Sequence, residues 1–196
     1  MRGILSTVLA AVLFTGCAGS RAKPVTQGAR PPQGATARAP VPNPARELTF
    51  VDAEHGFQID KPDVQWRFRP SEDLSTESIA VPLVVTNTEK NAQVVVQIAP
   101  AVATPSQFAE RLTLGLKSRA GFTTSDVEPL PVADGAVGFD FAVADQVNGR
   151  VAILEGEKGR VYVLLATWPK DAAVGVEKDV DRIMGSIKPN SGAKRD

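Results

Sequence analysis

The chain carries one cysteine, Cys17, and one histidine, His55, so the side-chain chemistry open to it is narrow from the outset. Cys17 follows an uncharged run, Ile4 to Phe14, and sits among small residues, Thr15-Gly16 before it and Ala18-Gly19-Ser20 after it. A thiolate is the side-chain nucleophile suited to thioether formation, and small neighbours leave the backbone open to processing enzymes. With no second cysteine the chain forms no internal disulfide, and its stability must come from its core. His55 lies in "DAEHGFQ" at the entrance to a strand, with no GxSxG anywhere in the chain. It reads as a surface histidine in a turn before Gly56. One histidine and one cysteine cannot supply the four ligands of a structural zinc site. Neither a P-loop nor a GxGxxG is present. No metal and no cofactor is expected.

The carboxylates are numerous but scattered. Glu177, Asp179 and Asp181 crowd one helical segment, and Glu177 and Asp181, four residues apart, repel each other. A calcium site takes its oxygens from several loop positions rather than from one helix surface, so these three acids read as a solvated helix face. Asp140, in "GFDFAV", alternates with Phe139 and Phe141 on a strand. If the face opposite the rings is buried, Asp140 needs an arginine or a backbone donor; an open or salt-bridged structural role is the expectation. Trp66 and Trp168 are candidate stacking platforms for sugars or peptides, but both lie in apolar patterns and read as core. No catalytic residue is nominated, and ligand-binding residues stay unassigned.

Stepping outward, Met1-Arg2 is a short positive start. Eleven helical residues from Ile4 to Phe14 rise only about 16 Å, roughly half of a bilayer's hydrocarbon core. The run suits the h-region of an export signal. Together with Phe14-Thr15-Gly16-Cys17, it resembles the lipobox of bacterial lipoproteins, whose members more often carry Leu, Val or Ile where this chain has Phe14. The resemblance implies cleavage before Cys17, diacylglycerol on its sulfur, and residues 1–16 as a signal peptide. Several acyl chains such as palmitate, each contributing about 0.8 kcal/mol per buried methylene, would make the attachment lasting. Ala18 rather than Asp after the cysteine implies the outer membrane where an envelope has two.

Residues 18–46 hold six Pro and three Gly with no aromatic residue. Such a composition cannot bury enough surface to offset ordering entropy. Residues 17–46 are therefore expected to be a disordered tether, reaching up to about 90 Å if extended. Its "PPQGATARAPVP" has the flavour of a polyproline ligand, although a linker needs no such partner. Residues 190–196 are expected to be a frayed tail.

Charge divides the same way. Residues 1–46 hold six basic groups and no acid, whereas residues 47–189 hold 14 basic and 21 acidic groups, a net of −7. A folded part so negative is a poor nucleic-acid binder. The basic arm reads as a soluble spacer, with contact to anionic headgroups or a wall polymer as the other reading.

Residues 47–189 are the expected folded domain. "ELTFVD" and "GFQIDKP" are short strands, with Phe57 and Ile59 on one side. "WRFR" sets Trp66 and Phe68 opposite Arg67 and Arg69. "AVPLVVTNTEKNAQVVVQIAP" is a hairpin turning at Thr88-Glu89-Lys90-Asn91, with Val94, Val96 and Ile98 on one face. "AVGFDFAVADQVNGRVAILEG" predicts a second hairpin with Asn148-Gly149 at a type I′ turn. "GRVYVLLATWP" is apolar enough for a central strand covered on both faces. Thr104-Pro105-Ser106-Gln107 is a capping box opening a helix with Phe108, Leu112 and Leu116 on one stripe, Lys117 and Arg119 at its end, and Gly121 to stop it. A second helix, from about Ala172 to Ser186, carries the stripe Val176, Val180, Ile183, Met184 and Ile187, with Pro189 beyond.

Strands, helix, strands, helix in this order give an α+β fold with an antiparallel sheet between two main helices. Three stretches, "GFQIDKPDVQW", "PSQFAERL" and "VYVLLATWP" with "IMGSIKP", resemble the PsbP-like fold of photosystem extrinsic subunits, a Ran-release factor and assorted bacterial envelope lipoproteins. The resemblance implies an α/β/α sandwich and a binding or assembly role rather than catalysis. The functional expectation is a membrane-anchored lipoprotein that acts as an accessory factor, partnered by an envelope protein or a cell-wall component. The alternatives are a hydrolase working through a carboxylate pair, or a carrier of a small apolar ligand in a closed cavity.

Overall fold

The computed structural model describes residues 47–190, apart from Lys158 and the side chain of Glu72. The signal segment 1–16, Cys17, the stretch to residue 46 and the tail 191–196 lie outside the described residues. In chain order the elements are β1 (Thr49–Asp52), β2 (Phe57–Asp60), β3 (Arg67–Pro70), a 3-10 turn (Glu72–Leu74), β4 (Ala80–Asn87) and β5 (Ala92–Pro100). Then come α1 (Pro105–Lys117), β6 (Phe122–Thr124), β7 (Glu128–Pro129), β8 (Val137–Val143), β9 (Val147–Glu155), β10 (Arg160–Pro169), α2 (Val176–Gly185) and β11 (Lys188–Pro189).

The large sheet runs β3-β4-β5-β10-β9-β8-β6, with β7 also on β8, and its pairs are antiparallel. β10 sits in the middle, as its nearly continuous apolar run requires. Alternate residues feed two cores: Val161 and Val163 face one, Tyr162, Leu164, Ala166 and Trp168 the other. α1 covers the first face through Phe108, Ala109, Leu112 and Leu116, against Phe139, Phe141, Val151 and Ile153. α2 covers the second face through Val176, Val180, Ile183 and Met184, where Trp66 and the β5 residues Val94, Val96 and Ile98 also pack. Each such fully buried side chain contributes about 1.5–3 kcal/mol. The expected α+β sandwich, a sheet between two helices, is the architecture found.

Local signals account for most boundaries. The α1 capping box forms as read: the Gln107 amide donates to the Thr104 hydroxyl at 3.3 Å, and the Thr104 amide donates to the Gln107 side chain at 3.2 Å. α1 ends at Lys117 with Ser118 as its cap, and Gly121, at φ 83°, belongs to the turn into β6 instead. α2 begins at Val176 rather than near Ala172, because Gly175 adopts a left-handed φ of 98° that breaks the helix there.

Two features depart from expectation. The β8–β9 turn is not at Asn148-Gly149 but at Ala144 and Asp145, both with positive φ (49° and 58°). Asn148 and Gly149 lie inside β9, opposite Ala142 and Phe141. Gly149 is there because the Phe141 ring lies over it: a Cβ would come within 2.1 Å of the ring. The second is a small sheet, β1-β2-β11, in which Lys188 and Pro189 pair with Gln58 and Phe57. Ser186 fastens it, its hydroxyl accepting from the Asp60 amide (2.8 Å) and its one proton shared between the Ile183 (2.6 Å) and Asp60 (3.0 Å) carbonyls. The Asn190 amide continues the clasp, donating to the Gly56 carbonyl at 2.8 Å.

Candidate functional site

The densest gathering of charged side chains centres on Arg150, which β9 presents on the face shared with α2. β8 places Asp140 directly opposite it in register. Arg150 Nε donates to Asp140 Oδ1 at 2.7 Å and Nη2 donates to Oδ2 at 3.1 Å, a two-pronged fit between planar groups. From α2, Glu177 accepts from Nη2 at 3.0 Å and Asp181 accepts from Nη1. The guanidinium also stands 6.0 Å from the Trp168 ring centroid, within cation–π range. The Arg150 side chain is 13% exposed, whereas the carboxylates of Asp140, Glu177 and Asp181 are 53%, 59% and 37% exposed. One desolvated cation thus organises three wetter anions. The hydrogen bond to Asp140 is the main cause that raises the Arg150 pKa further, against the opposing pull of burial.

Asp140 is therefore the salt-bridged structural residue expected of it. The helix acids are not simply a solvated face. Glu177 and Asp181 repel in isolation but converge on a shared cation from the sheet, and Asp179 turns to the Lys90 ammonium at 2.9 Å. That bond is the main cause of the raised Lys90 pKa. Arg150 was not among the residues singled out from sequence, because the expected hairpin turn hid its pairing with Asp140.

Beside the cluster, where β8 and β6 extend the sheet, lies an open depression of about 360 Å³. It is lined by Thr123, Thr124, Asp140, Asn148, Trp168 and Glu177 among others. A second depression, about 650 Å³, follows the loop 129–137 past Leu130, Val132 and Ala136 to Gly185. Both open to solvent; neither is a closed apolar chamber. In the first, the carboxylates are tied to a guanidinium, not set one in an apolar wall and one opposite, as acid–base hydrolysis of a glycoside requires.

Of the other candidate residues, Trp168 borders this cluster and the rest are placed apart from it. His55 sits in the β1–β2 turn, part-buried, its Nδ1 2.9 Å from Asp52 Oδ2 and its amide donating to Asp52 Oδ1 at 2.8 Å. Among the described residues no serine bonds it. The Tyr162 hydroxyl is shared between the His55 and Gly56 carbonyls at 3.2 Å each, and burial is the main cause that raises the Tyr162 pKa. Trp66 is fully buried and Trp168 nearly so, which makes both core residues. Cys17 lies outside the described residues. Among those described, no group of three or more His, Cys, Asp or Glu could hold a metal ion, and no helix is long and apolar enough to cross a membrane.

No family model and no curated protein matches the chain. Among solved structures it is similar to cyanobacterial PsbP (CyanoP) from Synechocystis sp. PCC 6803, with a TM-score of 0.51 and 12% identity. The match covers 80% of this chain and 98% of that one. At such low identity the likeness speaks to architecture alone, and on that it agrees with the element order and the two-faced sheet: the chain has a PsbP-like α+β fold.

Proposed function

We propose that this chain is an exported lipoprotein, held at the cell envelope by acyl chains on Cys17, whose PsbP-like domain works by binding. Its partner is an envelope protein or a cell-wall component, and its role is that of an accessory or assembly factor without catalysis or cofactor. Where the envelope has two membranes, Ala18 rather than Asp after the cysteine supports the outer one. The observation that carries the binding reading is the state of the acids in the largest charged cluster. Asp140, Glu177 and Asp181 are committed to Arg150 beside a shallow, open depression, an arrangement that holds a helix on a sheet and leaves no free acid–base pair. The leader, with its apolar run and its single cysteine, supports the anchor.

Two measurements test this reading. The Cys17→Ser variant is expected to leave the membrane fraction while the parent stays in it; equal retention overturns the anchor. Crosslinking the parent in intact cells is expected to trap a protein or a glycan strand. Turnover of an envelope polymer by purified parent, lost on Asp140→Asn, would overturn the non-enzymatic reading.

A further inference from the structure

Two buried polar side chains at one end of the sandwich have donors that nothing among the described residues satisfies. Trp66 is 0% exposed and Asn87 is 1% exposed, and neither Trp66 Nε1 nor Asn87 Nδ2 has an acceptor among the described residues. The register brings them together. Arg67 at the start of β3 pairs with Thr86 of β4, so Trp66, one residue earlier, is level with Asn87, one residue later. Alternation puts both on the α2 face: Asn87 follows Leu83 and Val85 on that side, and Trp66 packs in the same core.

The amide orientation of Asn87 is fixed by its other end. Asn87 Oδ1 accepts from the Lys90 amide at 3.0 Å, which closes the β4–β5 turn. Flipping the side chain would set Nδ2 against that N–H, donor against donor. Nδ2 therefore stays without its acceptor, and the indole of Trp66 can only donate. Two buried N–H groups without an acceptor would cost a large part of a domain's margin of stability. What they require is an oxygen. An anion does not suit the place, because of the two neighbouring cations Lys90 is paired with Asp179 and Lys61 is turned to the Trp66 carbonyl and the Phe68 ring. A neutral group with two lone pairs does.

We propose that one buried water molecule bridges Trp66 Nε1 and Asn87 Nδ2, forming an internal hydration site. It completes a set of ties at this corner of the fold. Lys61 Nζ donates to the Trp66 carbonyl at 2.6 Å, Asp63 Oδ1 accepts from the Gln65 and Trp66 amides at 2.8 and 3.4 Å, and Lys90 reaches α2. The water joins the 61–66 loop to the β4–β5 hairpin, a connection that no direct side-chain hydrogen bond among the described residues supplies. Long-lived internal waters hold this kind of position, among otherwise unsatisfied polar groups.

The test is nuclear magnetic resonance of the full chain labelled with nitrogen-15. With two tryptophans in the chain, Trp66→Phe identifies the Trp66 indole signal by its loss. Cross-relaxation from water is expected at the Trp66 indole hydrogen and at the Asn87 side-chain amide, with both hydrogens exchanging slowly. Slow exchange without a water signal at either group overturns the proposal, as does a direct bond from the indole to the Asn87 oxygen. Asn87→Leu, which removes one donor while keeping the site filled, is expected to abolish the water signal at Trp66 and to leave the Trp168 indole resonance in place. Persistence of the Trp66 water signal in that variant overturns the bridge.

Discussion

Arg150→Met removes the guanidinium and keeps an apolar stem beneath Trp168. Three ion pairs go with it. Asp140, Glu177 and Asp181 are each more than a third exposed, so each pair is worth the ~0.2–1 kcal/mol typical of solvent-screened pairs, not the value of a buried one. The lost cation–π contact adds about 0.5–1 kcal/mol, and Glu177 and Asp181, now without a cation, repel by a few tenths of a kcal/mol. The total is about 3 kcal/mol. For a domain near 150 residues that corresponds to a Tm lower by about 9 °C, read by calorimetry or circular dichroism at neutral pH. Double-mutant cycles refine the test: coupling of Arg150 to Asp181, the least exposed of the three acids, should exceed its coupling to Glu177. A Tm drop under about 1 °C, or coupling confined to Asp140, would refute the view that Arg150 fastens α2 to the sheet.

Other consequences follow from single sites. Tyr162 is the only tyrosine and its pKa is raised above the ordinary 10.0, so its neutral form is favoured by folding. Its stabilising share is complete below pH 10 and is lost as pH climbs through the folded value; phenolate absorbance should therefore titrate above 10, and Tyr162→Phe should flatten the alkaline loss of stability. An ordinary midpoint would contradict this. Gly149→Ala should destabilise by about 1–3 kcal/mol through displacement of the Phe141 ring, measured by urea unfolding; unchanged stability would contradict the packing of that ring over β9. Gly185→Ala should be damaging as well, because a Cβ there would meet the Val132 carbonyl at 2.1 Å; unchanged stability would mean that the loop 129–137 does not press on α2.

What the sequence displayed and what it hid divide by range. The capping box at Thr104 and Gln107 was readable because it involves four successive residues. The α2 stripe and the β10 run were readable because periodicity is local. The Asn148-Gly149 signal misled for a physical reason: glycine suits a type I′ turn, but it also suits a strand over which an aromatic ring folds. The charges held the discriminating clue. A turn at 148–149 would set Asp140 opposite Glu157, like against like, while the observed turn sets it opposite Arg150. The β11–β2 pairing was beyond local reading, since Lys188 and Pro189 meet residues more than a hundred positions away. Pro189 signals only a helix stop, yet it also fits an edge strand, where no donor is needed.

The acids of α2 show how a run of like charge can carry structural information. At 100° per residue, Glu177 and Asp181 lie on one flank of the helix and Asp179 lies about 200° around, on the other. Arg150 from β9 takes the first flank, and Lys90 from the β4–β5 turn takes the second. The apolar stripe between them faces the sheet. Burial of Val176, Val180, Ile183 and Met184 would tolerate some rotation of the helix about its own axis, because hydrophobic attraction has no direction. Two cations on opposite sides remove that freedom, since any roll that shortens one set of bonds lengthens the other. The acids are thus committed to fixing the angle at which α2 lies on the sheet.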